Sequence, residues 1–180
     1  MTKPRTTAPL FILLDANVIF EAHRQGIWEL LLQKVRIAVP SIIARDEALF
    51  VEVGSMTRPL NLPEEIDTGR LEELAAEAPA MHLVQQLFDR SFVDGLHEGE
   101  LEALAIIYTS GEEILFCTAD QMAIQALAMM DRADRGVSFE TLLRKAGLWR
   151  KLERRFTEAF FQGHIEKGTT KRIKGEGIHK

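Results

Sequence analysis

Two short apolar runs in this sequence each end in polar residues that could carry out chemistry. The first run ends at Asp15, with Asn17 two residues later, and the second ends at Thr118 and Asp120. Runs of this length are typical of buried strands in a parallel sheet, and in open α/β sheets the ligand site lies beyond the carboxyl ends of the strands. Both aspartates are therefore expected at a functional edge, although Asp15 or Asn17 could equally cap the helix that follows.

Two glutamates occupy helical positions that could add to this acidic pair. Glu47 falls on the helix predicted after the second strand, and Glu100 falls in the first turn of a strongly apolar helix. An acidic residue in a first helical turn also suits the helix dipole, which is a purely structural interpretation of Glu100. Neighbouring acids compete for both positions, since Asp46 adjoins Glu47, and Asp94 and Glu102 lie close to Glu100.

Four convergent carboxylates would repel one another unless a cation lay between them, because each negative charge raises the pKa of its neighbours. A hard divalent cation removes this conflict, and Mg²⁺ needs only one or two protein carboxylates when waters and phosphate oxygens complete its shell. The combination suits phosphodiester chemistry, in which a metal activates water and stabilises charge on the leaving oxygen. We call these four residues the acidic set: Asp15, Glu47, Glu100 and Asp120.

The elements that must position the acidic set alternate between strand and helix, which indicates a parallel sheet with helices on both faces. The helix after the second strand is predicted between Ser41 and Gly54, and residues 55–69 are predicted to form a loop with an edge strand. Two helices, over Leu71 to Ala78 and Ala80 to Phe88, form a predicted helical insertion on either side of Pro79. The other predicted strands span residues 11–14, 36–40, 114–117 and 137–139, and further helices are predicted over residues 121–130 and 140–146.

Length and composition narrow the class of protein. The chain has 180 residues, of which 46% are hydrophobic, and this suits one domain with a substantial core. Its single cysteine, Cys117, excludes an internal disulfide and fits a reducing compartment. No apolar run reaches transmembrane length and the N-terminus lacks the apolar core of a signal peptide, so we expect a cytoplasmic protein without a membrane partner.

Charge is distributed unevenly along the chain. Residues 144–180 carry 11 Lys and Arg against 4 Asp and Glu, a net charge of +7, which leaves −12 on residues 1–143. We therefore predict one domain over residues 10–147 and a basic extension over residues 148–180, consisting of a helix followed by a mobile tail.

The helix of this basic extension is predicted from apolar residues at helical spacing. Such a stripe could pack on the domain or on a second subunit, and its width favours a homodimer. The stripe consists of Trp149, Leu152, Phe156 and Phe160. Basic side chains elsewhere on the helix could instead hold nucleic-acid phosphates, which the acidic body of the chain would otherwise repel. These predicted phosphate-binding residues are Lys151, Arg154 and Arg155.

Four motifs, taken in order, resemble those of the PIN-domain nucleases, a family that includes the VapC-type toxins. Leu14 to Ile19 resembles the opening motif, and Val39 to Glu47 resembles the second, in which a glutamate lies on the helix after the second strand. Glu98 to Ala105 is similar to the third acidic motif, and Cys117 to Asp120 is similar to the fourth. The resemblance extends from Phe11 to about Ala146.

This resemblance implies a three-layer, PIN-like α/β fold and a nuclease that depends on Mg²⁺ or Mn²⁺. It gives the acidic set the role of holding the metal and makes RNA the expected substrate, with DNA as the alternative. Asn17 and Thr118 would support the site by binding metal-bound water or phosphate. The resemblance also implies the toxin of a toxin–antitoxin pair, with a protein antitoxin and a second copy of the chain as partners.

Two other interpretations stay open. A catalytically idle PIN-like module could bind protein or RNA, since fold alone does not determine function. A phosphatase of the haloacid-dehalogenase type also places an aspartate after its first strand. That class expects a second aspartate two positions later, where this chain has Asn17, and a downstream lysine beside an acidic motif, which this chain does not place suitably.

Overall fold

The computed structural model describes residues 11–110 and 114–179, in which helices flank a five-stranded parallel sheet. The strands are β1 (Phe11–Leu14), β2 (Ile37–Pro40), β3 (Phe50–Val53), β4 (Met56–Pro59), β5 (Glu72–Leu74), β6 (Ile114–Cys117) and β7 (Gly136–Val137). The helices are α1 (Ala16–Arg24), α2 (Trp28–Lys34), α3 (Leu62–Asp67), α4 (Ala78–Gln85), α5 (Arg90–Val93), α6 (Glu98–Thr109), α7 (Gln121–Met129), α8 (Phe139–Lys145) and α9 (Glu158–Lys174). The predicted three-layer α/β class is confirmed.

The sheet brings the ends of β1 and β6 side by side. Its strand order is β5-β2-β1-β6-β7, and every neighbouring pair is parallel. Leu14 pairs with Cys117, which in turn pairs with Val137, so the residues that follow these three strands emerge at one edge. The central position of β1 explains its apolar composition, because a central strand of a parallel sheet is covered on both faces.

The core forms two layers, one on each face of the sheet. Side chains of β1 alternate between them, with Ile12 and Leu14 in one layer and Leu13 in the other. Helices α1, α2 and α8 contribute to the first layer, and α4, α6, α7 and α9 contribute to the second. Residues Gly99 to Ile107 of α6 are all buried, so this helix is covered on every side and its two glutamates, Glu100 and Glu102, lie inside the protein.

Three predictions between Ser41 and Ala78 are wrong, one of them the loop over residues 55–69, which contains the helix α3. The helix after β2 ends early, because Phe50–Val53 and Met56–Pro59 form an antiparallel hairpin with Gly54 at the turn. Gly54 has a φ of +63°, a conformation that favours glycine. The helix predicted over Leu71 to Ala78 is also wrong, since Glu72–Leu74 forms the edge strand β5.

Charged partners on neighbouring elements explain why a segment of helix-forming residues becomes β5. Glu72 pairs with Arg36 at 3.0 Å, and Glu73 pairs with Arg45 at 2.5 Å and accepts a hydrogen bond of 2.8 Å from the Ser41 hydroxyl. These contacts lower the pKa of Glu73 to about 2, with the Arg45 hydrogen bond as the largest cause. Tertiary contacts therefore override helix propensity here.

The C-terminal helix begins later than predicted. Residues 148–157 are irregular except for a single 3₁₀ turn, and α9 starts after Thr157, whose hydroxyl accepts a hydrogen bond from the Phe160 amide at 3.3 Å. The stretch predicted to be mobile continues as helix to Lys174, and Ile178 then forms a β-bridge with Phe88. Phe156 is buried in the core while Trp149 is 83% exposed, so the apolar residues do not form one helical stripe.

Helix α9 packs directly against α7. The two backbones approach closely at Gly168, where an added Cβ would collide with the carbonyl oxygen of Gln125. Residues 148–179 are thus attached to the domain along a helix, and their division from it at residue 147 stays a prediction. Within the described ranges, none of the helices has the length and apolar character needed to cross a membrane.

Candidate functional site

Asp15 is fixed at the end of β1 by three hydrogen bonds. Its Oδ1 accepts from the Ala16 amide at 2.8 Å, and its Oδ2 accepts from the Asn17 side-chain amide at 2.8 Å and from the Thr118 hydroxyl at 2.6 Å. The side chain is 2% exposed. Asn17 also accepts a hydrogen bond of 3.2 Å from the Ala119 amide. Asn17 and Thr118 therefore join the ends of β1 and β6 and orient the Asp15 carboxylate, and their predicted role of binding metal-bound water or phosphate stays a prediction.

Asp120 combines a capping role with a place at the same edge. Its Oδ1 accepts from the amides of Met122 at 2.7 Å and Ala123 at 3.0 Å, and this caps α7. The Thr118 hydroxyl that donates to Asp15 also accepts from the Asp120 amide at 3.0 Å. Among the described residues, Oδ2 of Asp120 receives no hydrogen bond and remains free to bind a ligand. Capping and ligand binding are thus compatible at this position.

Glu100 lies in the first turn of α6 with its carboxylate turned back toward the start of the helix. Its Oε2 accepts a hydrogen bond of 3.0 Å from the amide of His97, which is the N-cap residue. The side chain is 6% exposed. The apolar body of α6 places this acid beside the sheet edge and keeps most water away from it.

Glu47 reaches the same place from a π-helical segment. Residues Ile43–Glu47 form this π-helix, closed by a 2.8 Å hydrogen bond from the Ala48 amide to the Ile43 carbonyl. Oε1 of Glu47 accepts from the Gly99 amide at 2.8 Å, so the Glu47 carboxylate sits at the N-terminus of α6. A Cβ at Gly99 would lie 2.5 Å from Ile43 and 2.6 Å from the Glu47 carboxylate. Glycine at position 99 is therefore what allows Glu47 to approach.

The three competing acids have different surroundings. Glu102 is buried, and its carboxylate accepts hydrogen bonds from the amides of Ile42 at 2.7 Å and Ala76 at 3.3 Å, which tie α6 to the segments after β2 and β5. Asp94 is exposed and pairs with Arg90 at 3.9 Å. Asp46 is exposed and faces away from the interior. Of the acids near α6, Glu100 is the one that shares an environment with both aspartates.

The charges of the acidic set influence one another. Burial raises the pKa of Glu100 to about 8, with further increases from the charges of Asp15, Asp120 and Glu47. Burial likewise raises the pKa of Asp15 to about 6, and the charges of Asp120 and Glu47 add to this effect against the opposing hydrogen bonds from Thr118 and Ala16. The charges of the other three acids thus act on Glu100, and those of Asp120 and Glu47 act on Asp15, while the role of the four as one metal site stays a prediction.

The donor chemistry of the acidic set fits a hard divalent cation, because carboxylate oxygens are the ligands that Mg²⁺ and Mn²⁺ prefer. Within residues 11–110 and 114–179, however, no group of three or more His, Cys, Asp or Glu side chains is arranged so that it could hold a metal ion. A Mg²⁺ ion needs only one or two protein carboxylates when water and phosphate complete its shell. Asp15 and Asp120 meet that smaller requirement in donor type and location.

A polar cleft of about 420 Å³ adjoins this edge. It is lined by Glu47 and by the loop from Asp94 to Glu98, which leads into the first turn of α6. A larger cavity of about 650 Å³ lies elsewhere, is mainly apolar, and includes none of the acidic set. The smaller cleft therefore gives a ligand access to Glu47 and to the start of α6.

Of the three predicted phosphate-binding residues, Lys151 lies apart from Arg154 and Arg155, which are neighbours on one 3₁₀ turn. The Lys151 carbonyl accepts a hydrogen bond of 3.1 Å from Gln25, at the end of α1 that is remote from Asp15. Arg155 lies 4.7 Å from the Phe156 ring and 3.5 Å from Glu153. Arg154 is exposed on the 3₁₀ turn before α9. The sequence does not distinguish Lys151 from the two arginines, because it predicts one continuous helix where the chain is irregular before the 3₁₀ turn.

Sequence reasoning missed one polar contact beside this edge. His164 of α9 is 6% exposed, and its Nδ1 lies 3.1 Å from the side-chain amide of Gln125 on α7. Burial lowers the pKa of His164, the charge of Lys167 lowers it further, and the charge of Asp120 opposes this change. The sequence contains His164 but gives no signal that it is buried or that it contacts Gln125.

No protein-family model, curated protein or solved structure matches this chain, and the resemblance to the PIN-domain nucleases therefore stays a prediction.

Proposed function

We propose that this protein is a Mg²⁺- or Mn²⁺-dependent nuclease that hydrolyses phosphodiester bonds at the acidic set. The observation that carries the proposal is the placement of the acids: the Thr118 hydroxyl bonds both the Asp15 carboxylate and the Asp120 amide, and Glu47 bonds the Gly99 amide next to Glu100. Two of them are buried, at Asp15 and Glu100, and a buried carboxylate with no cation partner is costly to ionise. A divalent cation supplied from solution offsets that cost.

Several residues around the acidic set would have separate roles in this hydrolysis. Asn17 and Thr118 hold Asp15 in one orientation, and Asp120 presents its free Oδ2 from the cap of α7. A bound divalent cation would activate a water molecule and stabilise negative charge on the leaving oxygen. The cleft beside Glu47 admits the phosphodiester, and one carboxylate of the acidic set orients the attacking water. Water oxygen bonds to phosphorus, the bond to the leaving oxygen breaks, and that oxygen is released with a proton.

RNA is the substrate we favour over DNA, and this preference comes from the resemblance to PIN-domain nucleases. The same resemblance supports a toxin role with a protein antitoxin, a homodimeric assembly and a cytoplasmic location. These remain proposals. Light scattering tests the assembly, and a dimer is the expected result.

A different observation favours a binding module without catalysis. The described residues contain no group of three or more acidic, His or Cys side chains arranged to hold a metal ion. Under that alternative the chain would bind RNA or protein and would release no cleavage products. The phosphatase alternative is weaker, because Asn17 donates a hydrogen bond to Asp15 at the position where that class places its second aspartate.

The test is cleavage of mixed-sequence single-stranded RNA with Mg²⁺, with Mn²⁺ and with EDTA. We expect cleavage with either metal and none with EDTA. Asp15→Asn should abolish turnover and keep the fold, because Asn has nearly the same shape but binds a cation weakly. Asp46→Asn is the matched control, since Asp46 is exposed beside Glu47 and should be dispensable. Full cleavage by Asp15→Asn would refute the proposal.

A further inference from the structure

A further cavity lies along α8, and it includes none of the acidic set. Its volume is about 350 Å³, within the range of about 300–1,000 Å³ that is usual for ligand-binding pockets. Leu143, Leu148 and Leu152 give it an apolar lining, to which three charged side chains and one tryptophan are added. An apolar surface with a few charged groups is the usual composition of a site for a small ligand.

The backbone that closes this cavity is held at two points. Gly147 follows α8 with a φ of +68°, which favours glycine, and the Leu148 amide then donates a hydrogen bond of 2.9 Å to the Leu143 carbonyl. The Lys151 carbonyl accepts a hydrogen bond of 3.1 Å from the Gln25 side chain. The residues between these two points therefore have a fixed backbone, although they form neither helix nor strand.

Trp149 belongs to this fixed segment and lines the cavity, yet its side chain is 83% exposed. Within residues 11–110 and 114–179, no aromatic ring stacks on it and no cation lies over it. The other tryptophan of the chain, Trp28, is 3% exposed and donates its indole N–H to Glu65 at 3.1 Å. Trp149 thus presents a free aromatic face, on which a flat ligand can stack.

The charged side chains of the cavity are Arg144, Arg150 and Glu140. Arg150 donates a hydrogen bond of 2.7 Å to the Trp149 carbonyl, and Arg144 donates one of 2.9 Å to the Thr141 hydroxyl. Each guanidinium has five N–H donors, so further donors remain for a ligand. Oε2 of Glu140 accepts a hydrogen bond of 2.6 Å from the first amide of α9. Two positive charges against one negative charge favour an anionic ligand, and arginine suits phosphate in particular.

This cavity is separated from the acidic set by about the length of α1. Asp15 caps the start of α1 and Gln25 caps its end, with nine helical residues between them, which is about 13 Å at 1.5 Å per residue. Gln25 bonds the Lys151 carbonyl, and Arg150 and Leu152 on either side of Lys151 line the cavity. A ligand here would therefore occupy a site distinct from the catalytic edge.

We propose that this cavity binds one nucleotide of a single-stranded RNA, with the base stacked on Trp149 and the phosphate held by Arg144 and Arg150. The choice of RNA rests on the proposed nuclease function. Proteins that bind single strands combine aromatic faces for the bases with positive charge for the backbone, and this cavity has both. Residues 1–143 carry a net charge of −12, which repels a polyanion, so a positive site away from the carboxylates would help to retain the strand. An acidic peptide would use the arginines but would leave the indole face without a flat partner.

The stacking part of the proposal is tested by fluorescence in EDTA, so that no cleavage occurs. Unlabelled oligouridylate should quench the tryptophan emission of the wild type, and Trp149→Phe, in which only Trp28 emits, should show no quenching. Affinity is measured by anisotropy of the fluorescein-labelled strand. Trp149→Ala should weaken binding about 5- to 150-fold, the range reported by alanine substitution for one stacked base. Trp149→Phe should lose less, because a flat ring remains, and Phe50→Ala is the control, since Phe50 is 59% exposed and does not line the cavity.

The charged part is tested by the salt dependence of the same binding. Arg144→Gln/Arg150→Gln should lower the slope of log affinity against log salt by up to about 1.4, since each lost phosphate contact on a single strand contributes about 0.7. Lys34→Gln/Lys145→Gln is the matched control, because it removes the same charge from two exposed helix ends that do not line the cavity. Its slope should be that of the wild type. Thermal unfolding checks that all variants are folded.

The outcomes separate this inference from the nuclease proposal. A wild type that cleaves RNA but shows no quenching, or equal slopes for the two charge variants, would overturn the inference and leave the nuclease proposal intact. Quenching with the expected variant effects, but no cleavage in Mg²⁺ or Mn²⁺, would support the cavity and refute the nuclease. Quenching by an acidic peptide and not by RNA would overturn the choice of ligand, and so would uridine monophosphate binding as tightly as the strand.

Discussion

Replacing Glu100 by Gln should change how the stability of the metal-free protein depends on pH. The pKa of Glu100 rises from 4.5 to about 8 on folding, mainly because the side chain is buried and then because of the charges of Asp15 and Asp120. The folded protein therefore binds this proton more tightly than the unfolded chain. Its contribution to stability is complete below about pH 4.5 and is lost as the pH rises through about 8. A Gln side chain carries no charge in this pH range, so the variant does not lose stability in this way as the pH rises.

The expected magnitude follows from proton linkage. A pKa that differs by one between the folded and unfolded states corresponds to about 1.4 kcal/mol of unfolding free energy. Glu100 is only 6% exposed, so solvent screens its charge little. Between about pH 5 and about pH 8, the wild type should lose roughly 3 kcal/mol of unfolding free energy through this residue. Glu100→Gln should lack this part of the decrease, and the amide oxygen of Gln can still accept the hydrogen bond from the His97 amide.

The assay is urea unfolding in EDTA at a series of pH values, followed by circular dichroism. Glu98→Gln is the matched control, because Glu98 lies in the same first turn of α6 but is exposed. Its pH profile should follow that of the wild type. Parallel profiles for the wild type and Glu100→Gln would refute the conclusion that Glu100 is buried among the other carboxylates.

Two glycines give further predictions. Gly99→Ala should reduce metal-dependent RNA cleavage and cost about 1–3 kcal/mol of stability, because the new Cβ would push against Ile43 and the Glu47 carboxylate. An unchanged cleavage rate for this variant would contradict the described position of Glu47. Gly168→Ala should lower the melting temperature, because its Cβ would collide with the Gln125 carbonyl. Gly163→Ala lies in the same helix, and its Cβ would meet no atom within 4 Å, so this variant should be neutral or stabilised by about 0.5–1 kcal/mol. Equal melting temperatures for these two variants would show that α9 does not pack on α7 as described.

The strand ends and their acids are the part of the site that sequence predicts best. Asp15 and Asp120 follow apolar runs that can only be buried, and β1 and β6 are adjacent strands in the sheet. Their capping of α1 and α7 is also predictable, because aspartate commonly caps helices. What the local pattern does not contain is the pairing partner of each strand, which is set by the whole sheet.

The missed features depend on contacts between distant segments. The β5 segment has helix-forming glutamates, and its strand conformation depends on β2 and on Arg36 and Arg45. The π-helix that ends at Glu47 depends on the space left by Gly99, fifty-two residues later. The start of α9 depends on the contact of Glu158 with Ser138. None of these partners is visible in the periodicity of the segment itself.

The position of a bound metal ion tests the central claim most directly. Crystals grown or soaked with Mn²⁺ can be measured near the manganese absorption edge, where the anomalous signal identifies the ion. We expect a peak at the shared ends of β1 and β6, in contact with a carboxylate oxygen of Asp15 and with the free Oδ2 of Asp120. A saturating Mn²⁺ soak that gives no peak at this edge, or a peak only at other acidic residues, would contradict the assignment of the acidic set as the metal site.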